Sequence, residues 1–313
     1  MGCCGSINKA TDEQVKDMCK WSCRQMMTRL SNHAIELAGD QKNMQIPMPK
    51  EMGDLRSVST NLRQAATESG SHVTSTTEGI AKQVEARLGS TIGGLVSRVG
   101  GLAADASGFA GQKIYGGLAD QLDGILDKLD RTFSKLGAEL CASKKSDMIE
   151  VFRDVIEKGT FRDALSLVRG PKFDFAGPSD AVTKEFFHTS RDLLVERLAL
   201  IVQADVNKMN VVVLWDGLVD KVNASNQALT SVMGTQPKEP IKLDINLYIV
   251  NQVLDKLCEA MKVREGEIRK APKSEELPPT FALCFSREPI DSKAYEQFCK
   301  DIAVDLNTTT THI

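Results

Sequence analysis

Gly2, Cys3, Cys4 and Ser6 head the chain in the order Met1-Gly2-Cys3-Cys4-Gly5-Ser6. The run fits M-G-x-x-x-[ST], the N-myristoylation signal, in which loss of Met1 exposes the glycine amine to acylation. A side chain at residue 2 would obstruct the transferase. One myristoyl chain binds a bilayer only marginally, with K on the order of 10⁴ M⁻¹. Thiols beside a membrane-held acyl chain are natural palmitoylation sites, so Cys3 and Cys4 supply the second anchor. The predicted chemistry is lipidation, with Gly2 carrying myristate and Cys3 and Cys4 carrying palmitate. The implied partner is membrane lipid, held through acyl chains on the cytoplasmic face, with the plasma membrane as the expected location. Lys9, Lys16, Lys20, Arg24 and Arg29 add attraction to anionic lipid, and Asp12, Glu13 and Asp17 offset most of it.

Other reactive side chains do not assemble into a recognisable catalyst. The four histidines are His33, His72, His188 and His312. His188, Ser190 and Asp192 have triad residue types, but i, i+2 and i+4 on a helix do not share one face. No P-loop, GxSxG, HExxH or EF-hand pattern is present. The glycine pairs 93–94, 100–101 and 116–117 lack the strand–turn–helix setting and the lysine of a phosphate loop. The chain is therefore expected to be non-enzymatic and to use no cofactor. Cys19 and Cys23 at i, i+4 with His33 match no common zinc spacing and lack a fourth ligand. The eight cysteines, at 3, 4, 19, 23, 141, 258, 284 and 299, are scattered, which suits free thiols in a reducing compartment.

At the other end, Thr311-His312-Ile313 has the [ST]-x-hydrophobic form of a PDZ-domain ligand, with Thr311 and Ile313 as its recognition residues. Three-residue patterns of this kind also arise by chance. The net charge is -3, so the basic surplus of a nucleic-acid binder is missing and no nucleic-acid partner is expected. No signal-peptide core precedes Met18. The longest apolar runs, 198–202 and 211–215, are far short of the roughly 20 residues of a membrane-spanning helix.

The elements that would carry these residues read as helices. Hydrophobic residues make up 42% of the 313, but aromatics only 5%, a mixture that favours helices packed through aliphatic side chains. Thr11 and Gln14 form a capping box for a helix over 12–38, closed by Gly39. Two prolines at 47 and 49 force an extended connector before a helix over about 50–66. Residues 67–80 read as a Ser/Thr/Gly linker. Residues 88–124 hold ten of the 23 glycines. They also carry Leu88, Ile92, Leu95, Val99, Leu102, Ala106 and Phe109 on one helical face. A glycine in a helix costs about 0.5–1 kcal/mol relative to alanine. The density therefore suits either close packing as a loose helical hairpin on its own domain or a membrane-surface face. The apolar pattern continues through Leu118, Leu122, Ile125, Leu129, Phe133, Leu136 and Leu140.

Further helices are expected from a Ser146 cap to Gly159, from a Thr160–Asp163 capping box to about Val168, and from Ser179 past Val202. Two more follow, over about 211–229 and from Asp244 to about Arg269. Residues 281–285 (FALCF) read as a short strand or a tucked apolar segment. Asp291 caps a last helix, and the polar end reads as disordered.

Several separated phrases resemble, in order, an uncharacterised, mainly bacterial helical family, the domain of unknown function 4197 family. They are 45–55, 152–170, 179–202 and 245–270. Thr160, Phe161, Asp163, Ala164 and Gly170 match the second phrase. Ala181, Thr183, Phe187, Thr189, Leu193, Ile201 and Val202 match the third. Tyr248, Leu254, Leu257, Glu265, Ile268, Arg269 and Pro272 match the fourth. The resemblance covers about 24–66 and 118–272. It implies a compact all-helical domain and no particular activity. The acylated start, the Gly-rich stretch and the tail after about 273 are additions, and the first stands where bacterial members often carry an export signal.

The expected fold is an all-α, multi-helix bundle-like domain with a Gly-rich amphipathic helical insertion. Its parts are an anchor (1–10), a first helical part (11–66), a linker and insertion (67–117), the main helical part (118–272) and an extension (273–313). The expected role is a lipid-anchored scaffold or adaptor. The alternative is a small-molecule or lipid-binding protein with a pocket between helices.

Overall fold

The computed structural model describes residues 9–40, 43–68, 107–170, 179–220, 223, 241–274, 278–286 and 288–309. Those residues are almost wholly helical, as expected, and among them no strand forms. One isolated antiparallel bridge joins Lys9 to Asp291, with the Ala10 N–H donating to the Ile290 carbonyl at 3.2 Å.

The helices are α1 (Asp12–Ala38), α2 (Glu51–Glu68), α3 (Ser107–Ser143), α4 (Lys145–Lys158), α5 (Ala164–Arg169) and α6 (Ala181–Lys208). They continue with α7 (Val211–Asp220), α8 (Ile245–Lys270), α9 (Pro279–Cys284) and α10 (Ser292–Thr309). Two compact units divide the chain. The first comprises 1–44, 138–201 and 250–313, and the second 45–137 and 202–249.

In the first unit, α1 is the central element. Its capping box forms as the sequence predicts: the Thr11 hydroxyl accepts from the Gln14 N–H at 3.3 Å, and the Gln14 amide oxygen accepts from the Thr11 N–H at 2.8 Å. Its buried residues fall in two rows of every fourth position. One row is Met18, Ser22, Met26, Leu30, Ala34 and Ala38, and the other is Cys19, Cys23, Met27, Ser31 and Ile35. Four residues advance about 40° past a full turn, so each row winds roughly 160–200° around the helix. That drift lets one helix be covered by α4, α5, α9 and α10 together. Phe152 of α4 packs against Phe186 and Phe187 of α6, with ring centroids 6.3 and 6.5 Å apart. Burying such a side chain stabilises by about 1.5–3 kcal/mol.

In the second unit, α2 lies along α3. The Ser59 hydroxyl donates to Asp123 at 2.7 Å, and Arg63 pairs with both Asp120 and Asp123 at 2.7 Å. The Arg63 guanidinium, then the Ser59 hydroxyl, hold the Asp123 carboxyl below the usual carboxylate range. Along α3 one buried row is Ala119, Leu122, Leu126, Leu129, Phe133, Leu136 and Leu140, in alternating steps of three and four, with Ala138 and Cys141 buried beside it. This is a heptad-like seam. Leu126 takes the place the sequence reading gave to Ile125, which is only half-buried. In the turn after α6, Asn210 has φ 56, a left-handed conformation that Asn tolerates better than most residues. Trp215 is buried and donates its indole N–H to the Leu243 carbonyl at 3.2 Å.

Three local expectations change. Residues 279–284 form a helix, with Pro279 in the first turn, where its missing N–H costs nothing. Phe281, Ala282 and Cys284 are buried, which explains the strand-like apolar run. Helix α4 starts at Lys145 after a one-residue break at Lys144, so Ser146 lies inside it and caps nothing. Asp163, not Thr160, caps α5, accepting from the Ser166 N–H at 3.4 Å. Helix α3 runs unbroken from Ser107 through Ser143.

Candidate functional site

The lipidation residues Gly2, Cys3 and Cys4 lie outside the described residues, as do Leu88, Ile92, Leu95, Val99 and Leu102 of the apolar stripe. Phe109 belongs to α3, but its side chain is outside the description. Thr311 and Ile313 are also outside it. The first described residue behind the acylation motif, Lys9, is tied to Asp291 by the bridge.

His188 and Asp192 are exposed on α6, whereas Ser190 is buried. The three do not converge. Cys19 and Cys23 are buried, and His33 lines a surface groove with Leu37, Val263 and Glu267. Among the described residues, no group of three or more His, Cys, Asp or Glu side chains is arranged to hold a metal.

The most constrained polar assembly is one that sequence reasoning missed. Glu265 of α8 is 0% exposed. Its carboxylate accepts from the Val182 N–H at 3.1 Å, the Thr183 N–H at 2.8 Å and the Thr183 hydroxyl at 2.7 Å. These are free donors of the first turn of α6, where a carboxylate also meets the positive end of the helix dipole. One turn further on, Arg269 donates its Nε to Glu265 at 2.8 Å. Its two other nitrogens donate to the Leu167 carbonyl at 2.7 Å and the Val168 carbonyl at 3.3 Å, at the C-terminal end of α5. The guanidinium also sits 5.2 Å over the Phe285 ring. An i, i+4 pair on α8 thus closes the start of one helix and the end of another. Gly170, which ends α5, has φ 79, a region open to glycine.

A second cluster lies beside it. Arg169 is 8% exposed and donates to the Leu283 carbonyl at 3.1 Å and the Glu288 carbonyl at 3.3 Å. It neighbours the buried thiols of Cys19 and Cys284. The Cys19 thiol holds the Cys284 thiol below its ordinary value against the opposing effect of burial. Burial pushes Cys23 upward.

Among the described residues of this unit there are surface grooves. One, of about 360 Å³, runs between the end of α1 and α8. Leu37 and Val263, 43% and 65% exposed, lie on it. Another, of about 480 Å³, is lined by Pro272, Lys273, Pro279, Leu283, Glu288 and Ala294.

Fold and site together define an all-α protein whose phrase residues Thr183, Glu265 and Arg269 form one buried hub and whose Gly170 closes an adjoining helix. The chain belongs to the family of proteins of unknown function DUF4197, whose model matches residues 113–277, a little over half of its length. The match leaves out residues 24–66, which the sequence resemblance had included. No curated protein matches the chain, and no solved structure does.

Proposed function

We propose that the protein is a lipid-anchored, non-enzymatic scaffold or adaptor on the cytoplasmic face of a membrane, the plasma membrane first. The observation that carries this reading is the run Gly2-Cys3-Cys4 with Ser6, which offers one amine and two thiols for acylation. The tie between Lys9 and Asp291 supports it. Seven chain steps lead from Gly2 to Lys9 and span at most roughly 25 Å, so an acylated Gly2 would keep the start of α1 close to the bilayer. The hub supports a non-enzymatic reading of Thr183 and Arg269, since their polar groups are engaged with Glu265 and backbone carbonyls. The grooves give the alternative of a pocket binder less support, because charged side chains share their lining, Lys256, Arg264 and Glu267 in one and Lys273 and Glu288 in the other. Thr311 and Ile313 are the proposed contact for a PDZ-domain partner.

Fractionation of cells expressing the wild type, Gly2→Ala and Cys3→Ser/Cys4→Ser tests the anchor. The wild type is expected in membranes and Gly2→Ala in the soluble fraction, with the double cysteine variant weakly held. Membrane retention of Gly2→Ala would contradict the anchor and would point to the 88–116 stripe as an independent membrane binder. Removal of residues 311–313 is expected to abolish PDZ-domain capture without changing the fractionation.

A further inference from the structure

The bridge between Lys9 and Asp291 fixes the point from which the acylation run extends. The Ala10 N–H, donating to the Ile290 carbonyl at 3.2 Å, reinforces it. Asp291 also caps α10, accepting from the Ala294 N–H at 2.8 Å. Ala294 lines the groove of about 480 Å³, and so does Glu288, three residues before Asp291. The root of the N-terminal segment therefore stands about one helical turn, roughly 5 Å, from residues of that groove. Gly2 reaches at most roughly 25 Å from Lys9, so the groove lies within range of its amine.

Pro272, Pro279, Ala282, Leu283 and Ala294 give the groove an apolar lining. Its polar lining residues have partners of their own. The Thr280 hydroxyl donates to Asp301 at 2.9 Å. Lys273 and Glu288 pair with each other at 3.5 Å, and at 76% and 62% exposure they belong to the rim. A charged rim disfavours a free apolar ligand, but a tethered one is in a different position. A short flexible linker gives an effective concentration on the order of millimolar, so a weak intrinsic affinity is enough. A single myristoyl chain also holds a bilayer only marginally, so groove and membrane compete on comparable terms. We propose that this groove takes the myristoyl chain of the same molecule's Gly2 and holds it until a membrane competes for it. The proposal rests on the acylation reading above. It adds a second state to the anchor: the membrane-held form is the one whose groove has been vacated.

The test co-expresses the full chain in bacteria with an N-myristoyltransferase and a myristate analogue carrying a diazirine at its chain end. Intact mass verifies the acyl group. Irradiation without vesicles is expected to cross-link the chain end, within one molecule, to a peptide from residues 272–294. Ala294 is half-buried, and Ala294→Trp fills the groove from its side. That variant should lose the cross-link at least several-fold while circular dichroism shows the helices intact. Carrying ordinary myristate, it should bind phosphatidylcholine vesicles several-fold more than the acylated wild type, each measured against its non-acylated form. A cross-link to the groove between α1 and α8, or to a second copy of the chain, would overturn the proposal. So would equal vesicle binding by the two acylated proteins. A chain that the transferase leaves unacylated would contradict the acylation reading itself, whereas an acylated chain without the groove cross-link contradicts this inference alone.

Discussion

Glu265 and Arg269 sit one turn apart on α8 and serve two other helices, the carboxylate closing the start of α6 and the guanidinium the end of α5. A carboxylate and a guanidinium four residues apart are ordinarily a solvent-exposed pair contributing a few tenths of a kcal/mol. Here Glu265 is fully buried and each group also satisfies backbone atoms that would otherwise be orphaned.

Removal of one partner is the sharpest test of that hub. Glu265→Ala leaves Arg269 without its counter-charge and the first turn of α6 without its acceptor. A loss of about 3–5 kcal/mol is expected, as for other broken buried pairs. Glu265→Gln keeps an acceptor oxygen and should lose less. Equilibrium urea unfolding measures both, and an unchanged midpoint for Glu265→Ala would contradict the structural role.

Two glycines give opposite expectations. Gly170 has φ 79 and ψ 158, a conformation closed to other residues, so Gly170→Ala should destabilise by about 1–3 kcal/mol. Gly266 lies inside α8, and a methyl group there would meet only Ser179, at 3.6 Å, an ordinary contact. Gly266→Ala should be neutral, or stabilising by about 0.5–1 kcal/mol through helix propensity. Thermal unfolding of the two variants distinguishes them.

Cys141 makes stability fall at high pH. Burial pushes its thiol from 9.0 to about 12, because the thiolate is desolvated. Below pH 9 both states are protonated and the shift has no effect. As pH rises from 9 toward 12 the unfolded chain loses this proton while the folded chain keeps it, so stability falls. The slope approaches about 1.4 kcal/mol per pH unit. Cys141→Ala removes that contribution, so the stability difference between wild type and variant should move against the wild type above pH 9. Urea midpoints followed from neutral pH upward check the sign.

Helix ends with local signals were legible in the sequence. Thr11 and Gln14 mark the start of α1, and Asp244, accepting from the Asn246 and Leu247 N–H groups, marks the start of α8. Features set by distant partners were not. The run 281–285 looks strand-like because α9 is buried by α1 and α10, so its apolar pattern has no helical polarity to display. Thr183, Glu265 and Arg269 were visible as phrase residues. Nothing in a linear spacing joins residues 183 and 265, 82 positions apart.

The proposed anchor is tested most directly by the intact mass of the protein isolated from its native membrane fraction, before and after hydroxylamine. The account predicts a chain lacking Met1 and carrying one myristoyl group, with palmitoyl groups on Cys3 and Cys4 that hydroxylamine removes. A chain with a free Gly2 amine and unmodified Cys3 and Cys4 would contradict it.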